Sequence, residues 1–227
     1  MDSILYLIFI FLGFIGLFVS SIYINKKYKI MSIEYLMYNH IFFLVGFLFL
    51  AKIFHIILDF DYNINITSSI IELFKFLSSG YTFIGGIIGG ILAIFLFSKV
   101  IRITYNNIFL LFVPSMLLMY SLMKIGCYFK GCCIGINGFN IQLIESILNM
   151  IGYLLIMKLF NDKKVIIYSS FITFGLLRFI ISFFRIYSNK FSFWFIQIFC
   201  IMLIIIGIYG LNNRKYSKKI EKLCKKG

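Results

Sequence analysis

Phe191-Ser-Phe-Trp-Phe-Ile-Gln-Ile-Phe-Cys-Ile-Met-Leu-Ile-Ile-Ile-Gly-Ile-Tyr-Gly210 is a run of twenty residues without one Asp, Glu, Lys or Arg. At a helical rise of about 1.5 Å per residue it is about 30 Å long, the thickness of a bilayer's hydrocarbon core. It reads as a membrane-spanning helix. Working outward, similar apolar runs lie at 3–24, 36–58, 80–97, 107–122, 141–160 and 165–184. A chain of 227 residues that is 62% hydrophobic and only 13% charged is therefore no soluble domain. The expected fold is an all-α integral membrane protein, a bundle of about seven transmembrane helices. The first run has Asp2 in front of it and no small-residue cleavage site behind it, so it is read as a permanent helix rather than a signal peptide.

The net charge of +14 invites a nucleic-acid partner, and the distribution of cations argues against one. Lys26, Lys27 and Lys29 follow the first run; Lys99 and Arg102 follow the third; Lys158, Lys163 and Lys164 flank the end of the fifth; a basic cluster begins at Arg214. In a seven-span chain all of these fall on one side, which the positive-inside rule makes cytoplasmic. The N-terminus is then outside and the C-terminus inside. Residues 1–214 are expected to form one membrane domain and 215–227 a basic cytoplasmic tail. Pro114 lies inside the fourth run and is expected to kink it. Between the second and third runs, Ile70, Ile71, Phe74 and Leu77 repeat at helical spacing, which suggests an amphipathic helix lying in the outer interface.

With the topology fixed, each polar residue within a span acquires a depth. Tyr6, Lys52, His55, Gly85, Gly86, Lys124, Gln142, Glu145, Arg178, Arg185 and Gln197 all fall in the outer third of the membrane, although they are scattered through the sequence. A charge at a helix centre costs roughly 2.5–3.5 kcal/mol on the insertion scale, so such groups are partnered or functional. Gln142 and Glu145 are three apart and share a helical face, as do Arg178 and Arg185, seven apart. Arg178 can pair with Glu145, and Lys52 and Arg185 can snorkel to the interface. Four cations with one carboxylate at one level also suit an anionic ligand, of which a phosphate-bearing lipid headgroup is the obvious one at that depth. His55 or a desolvated Glu145 is the candidate base in such a layer.

The densest polar segment is Lys124-Ile-Gly-Cys-Tyr-Phe-Lys-Gly-Cys-Cys-Ile-Gly135. Its Cys127, Cys132 and Cys133 form a C-x4-C-C cluster that matches none of the usual zinc spacings and lacks the C-x-x-C of thiol oxidoreductases, so no metal or cofactor is expected. On the oxidising side of the membrane a structural disulfide is the default. Thiol-redox chemistry and non-catalytic lipid binding remain open as alternatives. Gly85-Gly86-Ile-Ile-Gly89-Gly90 sets small residues four apart on the third span, which permits close helix approach or leaves room for a lipid chain.

The order of these features resembles the prolipoprotein diacylglyceryl transferases, seven-span bacterial enzymes. Phe83-Ile84-Gly85-Gly86-Ile-Ile-Gly89 is similar to the family's His-Gly-Gly-x-x-Gly run, with Ile84 where the histidine stands. Met123-Lys124-Ile-Gly126-Cys127-Tyr-Phe-Lys130-Gly131-Cys132-Cys133-Ile-Gly135 is similar to Gly-Arg-x-Gly-Asn-Phe-x-Asn-Gly-Glu-x-x-Gly. Gln142-Leu-Ile-Glu145 resembles Gln-Leu-Tyr-Glu, and Leu177-Arg178-Phe-Ile-Ile-Ser182-Phe-Phe-Arg185 resembles Phe-Arg-x-x-Val-Glu-Phe-Phe-Arg. Tyr6 matches the first-helix tyrosine, and Lys52 sits where an arginine is expected. The resemblance implies a multi-pass protein of the bacterial cytoplasmic membrane. Its activity would be diacylglyceryl transfer from phosphatidylglycerol to the lipobox cysteine of a prolipoprotein, amid membrane lipids and without nucleic acid. Arg178, Lys124, His55 and Glu145 would then be the catalytic candidates. Tyr6, Lys52, Gly85, Gly86, Gly126, Gly131, Gln142 and Arg185 would bind substrate.

Overall fold

The computed structural model describes residues 2–58, 82–187 and 190–224. Seven helices in it are long and apolar enough to cross a membrane. They are α1 (Asp2–Tyr28), α2 (Ile33–Leu58), α3 (Phe83–Ile101), α4 (Tyr105–Phe129), α5 (Ile141–Leu159), α6 (Lys163–Ser182) and α7 (Lys190–Cys224), with a short 3-10 turn at Ile136–Gly138. The protein is an all-α, multi-pass membrane protein. The amphipathic helix expected between α2 and α3 lies outside the described residues.

Each helix falls where an apolar run does, and the ends differ for physical reasons. α1 carries on through Lys26 and Lys27 because cations at a helix C-terminus oppose the macrodipole favourably. α7, with 35 residues and so about 52 Å long, outreaches a bilayer core and extends into the basic segment. α6 begins at Asp162, whose carboxylate accepts hydrogen bonds from the Lys164 and Val165 amides at 3.1 and 3.4 Å, an N-cap of the usual kind. α4 runs through Pro114 as a single helix. It also runs on past Lys124, where a charge had suggested an end.

The helices fall into two compact units. The first contains α1, α4 from Phe109 onward, α5, α6 and α7 from Phe195 onward. α4 is its most enclosed helix: Leu110, Leu111 and Phe112 are fully buried, whereas Ile4, Leu7, Phe11 and Ile15 of α1 and Ile198, Ile205 and Tyr209 of α7 are exposed. Exposed apolar stripes of this kind suit contact with lipid. Because lipid is as apolar as leucine, helix association here needs small residues and interhelical hydrogen bonds. Both are present. Ser20 of α1 bonds Ser115 of α4 at 2.8 Å and Tyr153 of α5 at 2.7 Å. At the end of the unit where α1 finishes, Lys27 donates to Asn161 Oδ1 and the Tyr28 hydroxyl to the Asn161 carbonyl, both at 2.9 Å, tying α1 to the α5–α6 turn.

The second unit contains α2, α3, the first residues of α4 and the segment Tyr187–Trp194. α2 and α3 cross at glycine. A methyl group on Gly46 would lie 2.6 Å from Ala93 Cβ and from the Gly89 carbonyl oxygen, and one on Gly89 would collide with the Gly46 carbonyl. The glycine run of α3 is thus a helix-packing face. Gly89→Val should therefore overpack the crossing at a cost of about 1–3 kcal/mol, read as a lower midpoint of thermal unfolding in detergent. An unchanged midpoint would contradict backbone contact at this position.

Candidate functional site

Tyr120 and Lys124 are one turn apart on α4 and share a face. On α5 the buried residues Gln142, Glu145, Ser146 and Asn149 form a polar stripe at helical spacing. On α6, Ser170, Phe174, Arg178 and Ser182 are spaced four apart and all buried. These three stripes meet at Glu145. Lys124 Nζ lies 2.7 Å from Glu145 Oε2, and Arg178 Nη1 lies 2.6 Å from Oε1. The Tyr120 hydroxyl donates to the same Oε1 at 2.5 Å. All four side chains are almost wholly buried.

Three full charges in an apolar medium are costly, and their mutual contact is what makes them tolerable. Among the described residues, two cations share this one carboxylate. Both Glu145 oxygens are engaged by donors, so the carboxylate holds both cations at once. Around the cluster, Asn149 Nδ2 donates to the Glu145 carbonyl at 2.7 Å and Ser121 Oγ to the Ser146 carbonyl at 2.8 Å. From α7, Gln197 Nε2 donates to Ser182 Oγ at 2.6 Å. Gln142 Oε1 and Gln197 Oε1 are buried acceptors with no hydrogen bond among the described residues.

The cysteine segment folds over the end of this unit. α4 continues to Phe129, after which Gly131 (φ 67°) and Cys133 (φ 64°) take left-handed conformations. That is free for glycine and strained for cysteine. Gln142 Nε2 donates to the Cys132 carbonyl at 2.8 Å. Gly135 and Arg185 form a β-bridge, with the Ile136 amide bonding the Phe184 carbonyl at 2.9 Å and the Ile186 amide bonding the Ile134 carbonyl at 3.1 Å. This bridge delivers Arg185 to the thiols: its Nη2 donates to Cys133 Sγ at 2.9 Å. In place of the expected disulfide, Cys127, Cys132 and Cys133 are free thiols whose Sγ atoms all lie within 4.8 Å of one another. The adjoining Cys127 and Cys132 thiols hold the Cys133 thiol below its ordinary range, and the Lys124 and Arg185 cations act in the same direction.

Lys124, Gln142, Glu145, Arg178, Arg185, Gly126 and Gly131 thus all belong to one unit. Gly126 is the point where α4 meets α1, since a methyl group there would approach Phe9 Cβ to 2.9 Å and the Tyr6 carbonyl to 3.1 Å. Lys130 sits over the Tyr6 ring, 4.4 Å from its centroid. The remaining candidates lie in the second unit. There Lys52 is buried in α2, His55 is half-buried near its end, Gly85 abuts Leu50 and Phe54, and Gly86 abuts the Phe47 ring. Ile84, which stands where a histidine occurs in the similar motif, is buried. Tyr120 and the Arg185–Cys133 contact were not anticipated. Tyr120 could have been found from its position one turn before Lys124; the second contact depends on a bridge between distant segments.

The sequence matches the family model described as prolipoprotein diacylglyceryl transferase over residues 4–212. It is also similar to the phosphatidylglycerol–prolipoprotein diacylglyceryl transferase of Clostridium tetani, 33% identical over 92 residues. That stretch covers 40% of this chain and 35% of the relative's length. The chain belongs to the prolipoprotein diacylglyceryl transferase family.

Removing the shared carboxylate should strand two buried cations. Glu145→Gln is expected to lower unfolding stability by about 3–5 kcal/mol. In Glu145→Gln combined with Arg178→Gln, the loss should fall short of the sum of the singles by about 0.5–3 kcal/mol. Unfolding of the purified variants in detergent measures both, and simple additivity would contradict a direct pair.

Proposed function

We propose that this family member transfers a diacylglyceryl group from phosphatidylglycerol to the lipobox cysteine of a prolipoprotein, at the outer face of a bacterial cytoplasmic membrane. The observation that carries this reading is the buried Lys124–Glu145–Arg178 cluster, in which two cations share one carboxylate. A phosphodiester headgroup brings a negative charge that a pair of buried cations suits.

In the reaction, the substrate thiol loses its proton to water, and the resulting thiolate attacks the glyceryl carbon that carries the phosphate ester. The carbon–oxygen bond breaks, its electron pair leaves on the phosphate oxygen, and a thioether and glycerol phosphate result. The leaving group gains a second negative charge as the bond breaks. Lys124 and Arg178 stabilise it better than the diester, and that differential is what accelerates the step. Glu145 and Tyr120 keep the two cations oriented before the substrate arrives, so little reorganisation is needed. The unpaired oxygens of Gln142 and Gln197 suit a headgroup that carries hydroxyl donors, because such a donor would satisfy acceptors that the protein leaves open. Lys124 offers a point charge where the family motif has an arginine's bidentate fork, so Arg178 is the stronger phosphate ligand of the two.

Expression of this chain in cells depleted of their own transferase tests the reading, with the mass of a lipobox peptide as readout. A diacylglyceryl increment is expected, and Arg178→Gln should reduce its rate by about 10²–10³-fold, the usual loss for one charge-stabilising donor. Inserted, folded protein that yields no increment would overturn the assignment, as a lipid-binding relative or a thiol-redox protein would behave.

A further inference from the structure

The thiols of Cys127, Cys132 and Cys133 are the feature that transferase chemistry at a cation cluster leaves unused. We propose that they form a three-thiolate zinc site whose fourth position takes up the acceptor peptide's cysteine and holds it as the thiolate. The inference rests on the transferase reading for the identity of the acceptor, while the metal site itself stands on geometry.

Three thiolates about 2.3 Å from one tetrahedral ion are about 3.8 Å apart. The three Sγ atoms already lie within 4.8 Å of one another, so coordination needs only small side-chain adjustments. The C-x4-C-C spacing matched no usual zinc motif because the third ligand is delivered by backbone conformation. Cys133 sits at φ 64° next to Cys132, in a region that side-chain-bearing residues seldom occupy, and the Gly135–Arg185 bridge and the Gln142 bond to Cys132 hold the segment there. Arg185, donating to Cys133 Sγ at 2.9 Å, is a cationic donor suited to a thiolate. Zinc with three thiolates carries one negative charge, and two with a fourth; Arg185 lies against this charge, and Lys124 is three residues from Cys127 on the same face of α4. Sulfur donors select soft or borderline ions, and three protein ligands plus one open position is the pattern of catalytic rather than structural zinc.

The chemistry balances without an oxidant. A thiol entering the fourth position gives up its proton to water, since a metal-bound thiol is deprotonated outright. The sulfur then forms its bond to the glyceryl carbon, the carbon–oxygen bond breaks, and the electron pair departs on the phosphate. The thioether product, uncharged and a weaker ligand, dissociates, and the ion keeps its oxidation state. A histidine base is then unnecessary, which accounts for Ile84. The site also stands beside Lys124, so sulfur and phosphate are held at neighbouring points of one unit.

The full-length chain purified in detergent under reducing conditions provides the test. Elemental analysis should find about one zinc per chain. Replacement by Co²⁺ should give intense near-ultraviolet thiolate-to-cobalt bands with tetrahedral visible bands. Each of Cys127→Ser, Cys132→Ser and Cys133→Ser should weaken cobalt binding by more than the 10–100-fold that a supporting hydrogen bond is typically worth. A cysteine-bearing lipobox peptide should shift the visible bands, and the same peptide with serine should not. Wild-type protein lacking stoichiometric metal, holding copper instead of zinc, or showing an alkylation-resistant disulfide would overturn the site without reliance on any variant's folding. A spectrum indifferent to the peptide thiol would overturn the open position. The two readings fail separately: undiminished transfer by the folded triple Cys→Ser variant sinks only the metal, whereas a thiol-responsive cobalt site in a chain that never modifies the peptide sinks only the transferase.

Discussion

A carboxylate buried among membrane-spanning helices must keep its counter-charges in contact, and the first unit is organised around that requirement. Glu145 on α5 holds Lys124 of α4 on one oxygen and Arg178 of α6 on the other. A medium that cannot solvate either cation favours keeping both on the carboxylate, so this side chain ties together the facing sides of three helices. Apolar packing alone would not do this, because lipid competes equally for leucine and isoleucine faces. The serine and tyrosine contacts among α1, α4 and α5 and the glycine crossings add to the same ordering.

This cluster also separates what the sequence made legible from what it concealed. Helix number and approximate limits followed from apolar run length, since the bilayer imposes a minimum on each run. The pairing of Arg178 with Glu145 was legible because a cation in a span needs a partner, and Lys124 meets the same carboxylate. The end of α4 was misjudged for the same reason inverted: a lysine usually marks the water boundary, but a lysine neutralised by glutamate need not. The extra turn places Cys127 on helix and so determines where its thiol stands relative to Cys132 and Cys133.

Long-range contacts set the limit of sequence reading here. Cys133 and Arg185 are 52 residues apart and meet through a β-bridge that neither segment announces, being short, irregular and flanked by helices. Vicinal cysteines separated by four residues from a first one suggest disulfide chemistry when spacing is the only information. Cys133 takes a left-handed backbone conformation, and its Sγ lies within 4.8 Å of those of Cys127 and Cys132. The roles of the glycines divide likewise: Gly126 is needed where α4 touches α1, Gly131 where the chain turns, and Gly46 and Gly89 where α2 and α3 cross.

The departures from the family motif are mutually consistent. Where the motif that Phe83–Gly89 resembles has a histidine, this chain has the buried Ile84. Where the family's signature has two asparagines and a glutamate, this chain has Cys127, Lys130 and Cys132, with Cys133 adjacent. Deprotonating a thiol near neutral pH needs either a base matched to it or a positive charge bound directly to sulfur. The first device is missing at its motif position, and the second is what clustered thiols can assemble by binding a cation. On the proposed reading, exchanging polar side chains for thiols beside Lys124 and Arg178 would exchange proton abstraction for coordination and leave the leaving-group chemistry of the two cations intact.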